Sequence, residues 1–251
     1  MLGTANETTR GGDRPGPRRG PGAVPARSRR GPGAVPAWFR RGSVGGGWYT
    51  GRVRISRLPL DEQPAAVRAV LETNPSLVRV LGLARGLDLP GWWLAAGAVV
   101  QTIWNHVTGR PPGYGLKDYD LIYYDPSDLS WEAEDRAIRA GRETFGDLPV
   151  EIRNEARVHL WYESRFGVPC PPYEGSEDAI DSFPSTTGAV GVRLTPSGAW
   201  RIYAPYGVAD AFNLVLRPNP RLATREVYEA KAARWSAAWP ELTVLPWPWR
   251  S

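Results

Sequence analysis

Cysteine is nearly absent from this chain. Cys170 stands alone among 251 residues, so no intramolecular disulfide can form, which suits a reducing cytosol. Histidine is almost as scarce. With only His106 and His159, a multi-histidine metal centre is excluded and zinc is a poor fit. No apolar run approaches the ~20 residues that a membrane-spanning helix requires, and the N-terminus lacks the apolar core of a secretory signal. A cytoplasmic protein with no membrane partner is the expectation. Excess positive charge is also lacking outside the N-terminal segment. Residues 1–52 hold ten arginines against Glu7 and Asp13, whereas residues 53–251 hold 21 basic and 24 acidic side chains. The net charge of +5 and the basic pI near 9.5 therefore belong to the tail. A nucleic-acid partner is not required by this charge, because its electrostatic footprint should lie on the folded surface.

The tail is rich in Gly, Pro and Arg and carries a direct repeat. Arg18-Arg19-Gly20-Pro21-Gly22-Ala23-Val24-Pro25-Ala26 recurs as Arg29-Arg30-Gly31-Pro32-Gly33-Ala34-Val35-Pro36-Ala37. So few core-forming residues cannot offset the entropy of ordering, and disorder over residues 1–52 is expected. A basic arm that touches nucleic acid or a membrane surface is one reading of it. A dispensable extension is the simpler one. A single domain is expected over residues 53–251, large enough to bury a sizeable core.

Within that domain the apolar spacing predicts helices over Asp61 to Thr73 and Pro75 to Gly86. Val67, Val70 and Leu71, then Leu77, Val80 and Leu81, form their inner faces. Trp92 to Ala95 reads as a short strand entering the turn Ala96-Gly97-Ala98, and Ala98 to Val107 as a helix. A strand follows over Lys117 to Asp125. Ser130 is a good N-cap for a helix to Thr144, with Glu132 and Glu134 near the positive end of its dipole. Leu148 to Arg153 reads as a strand and Asn154 to Arg165 as a helix. Ala189 to Leu194 and Ala199 to Ala204 flank Thr195-Pro196-Ser197-Gly198 as a hairpin, and a last helix spans Arg225 to Ala238. The fold class is α+β, with a small mixed central β-sheet flanked by helices. The chain has twelve tryptophans. Trp92, Trp93, Trp104, Trp131 and Trp161 are most simply core packing, with base stacking open to one of them. Trp247-Pro248-Trp249 reads as a strip covering an apolar patch.

The chemistry concentrates between residues 91 and 125. Successive side chains on a strand point to opposite faces, so Asp118 and Asp120 project side by side. Two carboxylates so close repel each other, and beside a divalent cation they become ligands. The strand, Gly97 and helix arrangement presents unpaired N–H groups to a phosphate, and the glycine permits close approach. A Gly-Ala pair alone is weak and fits any tight turn; the order of elements after it carries the signal. On the next strand, Val150 and Ile152 point to the core, which turns Glu151 toward Asp118 and Asp120 if the strands are neighbours. Three carboxylates could hold two Mg²⁺ ions about 3.5–4 Å apart. The alternative for Glu151 and Arg153 is a solvated strand edge. Glu155 and His159, four apart on a helix, share a face; a metal or acid–base pair and an intrahelical hydrogen bond both remain open, and Arg157 could neutralise a phosphate. His106 is most simply a charge at a helix C-terminus or a surface residue. Asp125-Pro126 is a natural turn, and no chemistry attaches to Asp210.

Ala95-Ala96-Gly97-Ala98-Val99, Trp104-Asn105, Leu116 to Asp125, Asn154 to His159, Ala204 to Asp210 and Arg217-Pro218-Asn219-Pro220 together resemble a bacterial nucleotidyltransferase-like family. That family is assigned to the DNA polymerase beta-like nucleotidyltransferase superfamily. The resemblance covers residues 60–245. It implies the polymerase beta-like fold, an NTP substrate and Mg²⁺ or Mn²⁺ as cofactor. Asp118, Asp120 and Glu151 then correspond to the catalytic and metal-binding acids, and Gly97 and Ala98 to the nucleotide-binding turn, with Arg157 a further candidate contact. Gly97-Ala98 stands where Gly-Gly or Gly-Ser is common, which removes a hydroxyl contact. Val100-Gln101 stands where relatives carry Arg-Asn, so a phosphate-binding arginine is missing from that helix.

The leading reading is a metal-dependent nucleotidyltransferase that moves a nucleoside monophosphate from an NTP to an acceptor and releases pyrophosphate. A non-catalytic nucleotide- or partner-binding module on the same fold is the alternative, favoured by Val100-Gln101 and opposed by the intact Asp118 and Asp120. An Asp-x-Asp glycosyltransferase fits less well, because such enzymes place a longer α/β region before the motif. The acceptor and the oligomeric state cannot be read from the sequence.

Overall fold

The computed structural model describes residues 63–248. The tail, the boundary at residue 53 and the start of the first helix at Asp61 lie outside the described residues. Helices α1 (Gln63–Leu71) and α2 (Pro75–Ala84) bury the predicted positions Val67, Val70, Leu71, Leu77, Val80 and Leu81. Asn74 caps α2: its Oδ1 accepts from the Leu77 N–H at 3.1 Å, and its Nδ2 donates to Thr102 Oγ1 at 3.0 Å. Thr102 belongs to α3 (Gly97–Thr108), so one cap also fastens two helices.

Five strands make the central sheet: β1 (Trp93–Ala95), β2 (Tyr119–Tyr123), β3 (Val150–Asn154), β4 (Gly191–Leu194) and β5 (Trp200–Tyr203). Their order is β3-β2-β1-β4-β5, with β2 and β3 parallel and the other neighbours antiparallel. This is the small mixed α+β sheet expected. The parallel pair needs a crossover, supplied by α4 (Trp131–Phe145), whose Ser130 cap accepts from the Ala133 N–H at 3.2 Å. Leu94, Leu121, Ile152 and Val192 are register neighbours and form the apolar face. Helix α4 packs on that side, so closely that a Cβ on Gly141 would collide with Ile152 Cδ1. The opposite face carries the row Glu151, Asp120, Ala95, Gly191 and Tyr203, followed by the row Arg153, Ile122 and Trp93.

The chain after β3 departs from the expected single helix. A 3₁₀ helix (Glu155–Leu160) comes first, then the short α5 (Tyr162–Phe166). Asn154 forces this tight start, because its Oδ1 accepts both the Asp125 N–H and the Ala156 N–H. At three residues per turn, positions four apart diverge by about 120° rather than about 40°. Glu155 and His159 therefore do not share a face. Helices α6 (Ser176–Asp181) and α7 (Ala209–Phe212) are too short for a hydrophobic period to announce them. The hairpin β4–β5 and the last helix, α8 (Arg225–Ala238), stand where predicted. Strands β6 (Val215–Leu216) and β7 (Thr243–Val244) add a two-stranded parallel sheet.

Trp104 is wholly buried, 5.1 Å edge-on from Trp235 and 5.3 Å from Trp239. Trp92 and Trp93 are also core, whereas Trp131 is 57% exposed and Trp161 half-buried. Trp131 opens α4 at the rim of the sheet, which corrects its assignment to the core. Trp247 packs beside Tyr228 at 5.8 Å. Asn105 ties the loop after α3 to this cluster: it donates to the Pro112 and Tyr114 carbonyls and accepts from Trp239 Nε1 at 2.9 Å. Next in that loop, Gly115 sits at φ +71°, and a Cβ there would approach Trp239 to 2.6 Å. Gly115→Ala is expected to lose about 1–3 kcal/mol of stability, combining backbone strain and overpacking. Denaturant midpoints against Gly109→Ala, also at positive φ but in open space, isolate the packing part.

Candidate active site

Ala95, the last residue of β1, pairs with Asp120, so the turn into α3 starts beside that carboxylate. The turn is tight. Ala96 adopts φ 50° and ψ −109°, a conformation that L-residues reach only with strain, and such strain concentrates at functional sites. Its N–H donates to the Val190 carbonyl at 2.9 Å, and its own carbonyl accepts from Val99 and Val100 at 3.2 Å. The next two amides, Gly97 and Ala98, find no acceptor among the described residues. They are the orphan donors that every helix start presents. A Cβ on Gly97 would stand 3.2 Å from the Gln101 amide.

Asp120 and Glu151 are direct register partners on neighbouring parallel strands. Asp118 lies two residues before Asp120, just outside β2, which starts at Tyr119 rather than Lys117. Both aspartates are half-buried. Burial pushes the Asp120 carboxyl above the usual aspartate range; Lys231 opposes the shift, Asp118 and Glu151 add to it, and Arg153 opposes it. Glu151 is exposed, and its carboxylate lies 3.9 Å from Arg153. Among the described residues no group of three or more His, Cys, Asp or Glu side chains is gathered as a metal cluster. The fold thus brings the backbone positions of the three acids together, while the Glu151 side chain turns toward its own strand neighbour.

Arg157 stands elsewhere. Its guanidinium is paired with the buried Glu134 of α4 and donates to the Leu129 carbonyl at 3.0 Å, over the Trp131 ring. Glu134 also accepts the Asn154 N–H at 2.9 Å. Arg157 therefore braces β3 against α4, on the side of the sheet away from Asp120. Asp125 closes its own turn by accepting from the Ser127 N–H and Oγ–H. Asp210 pairs with Arg217, and Asn219 donates to the Asp181 carbonyl. Those stretches hold the fold. His106 is exposed in the last turn of α3. His159 is half-buried, with Nδ1 buried and without a partner among the described residues.

Two further residues stand at the site: Glu155, which sequence reasoning set beside His159 on one helix face, and Lys231, which it missed. Glu155 is 5% exposed; its carboxyl has no hydrogen-bond partner among the described residues and is pushed up to about 7 by burial, with Arg153 opposing and Asp120 adding. Lys231 of α8 has its Nζ 4.7 Å above the Trp235 ring. Burial lowers its pKa, Asp120 opposes that shift, Arg234 adds to it and Asp118 opposes it. A compositional signal was available for it. The chain has 31 basic residues, and lysine accounts for two of them, Lys117 and Lys231. One precedes Asp118, and the charge of the other is felt by it.

A family model described as nucleotidyltransferase matches residues 82–244. The chain belongs to this nucleotidyltransferase family. The match begins within α2 and ends with β7, so it takes in the whole sheet and α8. No curated protein matches the chain. A solved structure described as revealing a CCA-adding enzyme head domain is similar, with a TM-score of 0.61 and 28% identity over 72% of this chain and 96% of that one. The nucleotidyltransferase fold is thereby shown, and both comparisons support nucleotidyl transfer as the general activity. Among the described residues no helix is long and apolar enough to cross a membrane.

Proposed function

We propose that this nucleotidyltransferase moves a nucleoside monophosphate from an NTP to an acceptor hydroxyl or phosphate, with release of pyrophosphate, and that it depends on Mg²⁺ or Mn²⁺. The observation that carries the reading is the cross-strand row Ala95, Asp120 and Glu151. It sets the orphan amides of Gly97 and Ala98 next to the acids on a single face.

The donor set suits a hard divalent cation, because it offers carboxylate oxygens alone. The unbalanced charge around Asp120 is what such an ion would relieve. Asp118 and Asp120 would hold it, and Glu151 would join on leaving Arg153. Bound there, a cation would supply neutralisation of charge developing on a phosphoryl group and its leaving group. The remaining work falls to the chain itself. The Gly97 and Ala98 N–H groups, aided by the α3 dipole, donate to phosphate oxygens. The rigid sheet keeps donors and acids in fixed relation, and in phosphoryl transfer such positioning and electrostatics supply nearly all of the catalysis.

The acceptor chemistry stays open, and a nucleic-acid end is one candidate suggested by the CCA-adding enzyme neighbour. Calorimetric titration with each NTP, with and without Mg²⁺ or Mn²⁺, tests the reading. The full chain is expected to bind at least one NTP in a metal-dependent way, and Asp118→Ala plus Asp120→Ala to abolish it. A folded protein that binds none of them overturns the reading.

A further inference from the structure

The helix that opens at Gly97 carries Val100 and Gln101, and neither brings a positive charge. Val100 is wholly buried. Gln101 is buried too, and its amide is satisfied when it donates to the Gly115 carbonyl at 3.2 Å and accepts from Trp235 Nε1 at 3.1 Å. A phosphate held at the Gly97 turn would therefore lack a cation from its own helix. The contacts lead to one on α8. The Gln101 amide lies where a Cβ on Gly97 would come within 3.2 Å of it, and it bonds the Trp235 indole, whose ring lies 4.7 Å beneath the Lys231 ammonium. Among the described residues Lys231 makes no ion pair. Its ammonium is half-buried, and the charges of Asp120 and Asp118 act on it.

We propose that Lys231 is a substrate-binding residue that grips the pyrophosphate portion of the incoming triphosphate, with Trp235 as its platform and Gln101 as the strut that sets the platform against the Gly97 turn. The assignment rests on the nucleotidyltransferase reading above and adds a specific phosphate ligand to it. A lysine suits the task. Its ammonium is a compact point charge on a flexible stem, able to follow a phosphate that changes position, whereas arginine imposes a planar fork. The chain uses arginine for 29 of its 31 basic side chains, so lysine here is not its habitual cation. With no phosphate bound, the same ammonium offsets part of the repulsion around Asp120.

Inorganic pyrophosphate and ATP are the probes, titrated calorimetrically with Mn²⁺ present, and Mn²⁺ alone is titrated as a control. Full-length wild type, Lys231→Met, Lys231→Arg and Trp235→Phe are compared. Lys231→Met is expected to weaken pyrophosphate and ATP binding by about 10- to 100-fold, the range of a lost charge-assisted hydrogen bond, with Mn²⁺ binding retained. Lys231→Arg should recover most of that loss. Trp235→Phe, which keeps a ring but loses the N–H to Gln101, should weaken pyrophosphate by a smaller factor. Equal pyrophosphate affinity in wild type and Lys231→Met overturns the assignment while leaving nucleotidyl transfer intact. Loss of Mn²⁺ binding in Lys231→Met also overturns it, since the lysine would then be supporting the acids. A wild type that binds neither ATP nor pyrophosphate overturns both this assignment and the reading beneath it.

Discussion

Asp120→Asn is expected to lower the rate of nucleotidyl transfer by about 10³-fold, while the metal-free protein becomes more stable at pH 7. Both effects come from a single negative charge. Asp120 sits at the centre of the row Glu151, Asp120 and Ala95, and it is drawn into the sheet far enough for burial to raise its pKa. A carboxyl whose folded pKa lies above its unfolded value contributes stability below the unfolded value and loses it as pH rises through the folded one. At pH 7 the ionised carboxylate is therefore a burden on the fold, and an isosteric amide removes it. Under the proposed function, the same substitution removes a ligand at the place where a divalent cation would stabilise charge in the transition state, an effect of several kcal/mol. Thermal unfolding with and without Mg²⁺ separates the parts. Wild type should gain stability on adding Mg²⁺, since a ligand bound to the native state alone stabilises it, and Asp120→Asn should not. A variant that is less stable than wild type without metal, or that responds equally to Mg²⁺, would show Asp120 to be a structural carboxylate.

Much of the architecture could be read because it is local. Ser130 announces α4 through its cap, Thr195 to Gly198 announce the hairpin, and α8 runs between the residues predicted for it. The Asp120–Glu151 pairing was also accessible, since alternation along β3 turns Glu151 away from the buried Ile152, and adjacency of β2 and β3 does the rest. Three features were not legible, each for a separate physical reason. Lys231 acts on the charge of Asp120 because α8 packs on α3 through Trp235 and Trp104, which no local period encodes. Arg157 was open as a phosphate contact because α4 had no predicted position against β3, yet Glu134 of that helix captures it. Glu155 was paired with His159 on the assumption of an α-helix, and the 3₁₀ turn after Asn154 sends it into the protein instead. The site thus combines a sheet written in the sequence with side chains that only the packing supplies.

Glu155→Gln is expected to flatten the pH dependence of stability between pH 4.5 and 7. Glu155 lies beyond Arg153 at the end of β3, buried at 5% exposure, with no hydrogen bond among the described residues to compensate its charge. Its carboxyl titrates near 7 in the fold against an ordinary value of 4.5. Below pH 4.5 both states are protonated and the residue costs nothing electrostatically. As pH rises the unfolded chain ionises first, and the native state must hold its proton or accept a buried charge. Stability is therefore lost across this window and levels off above pH 7, by about 3 kcal/mol at 1.36 kcal/mol per pKa unit. Denaturant unfolding of wild type and Glu155→Gln at pH 5 and pH 8 measures it, and the quantity to compare is the change between the two pH values. That difference cancels the fixed cost of burying an amide. Wild type should lose most of that amount relative to the variant on going to pH 8. Parallel pH profiles would mean that Glu155 stays ionised and compensated in the fold, and the isolation of its carboxyl would then be wrong.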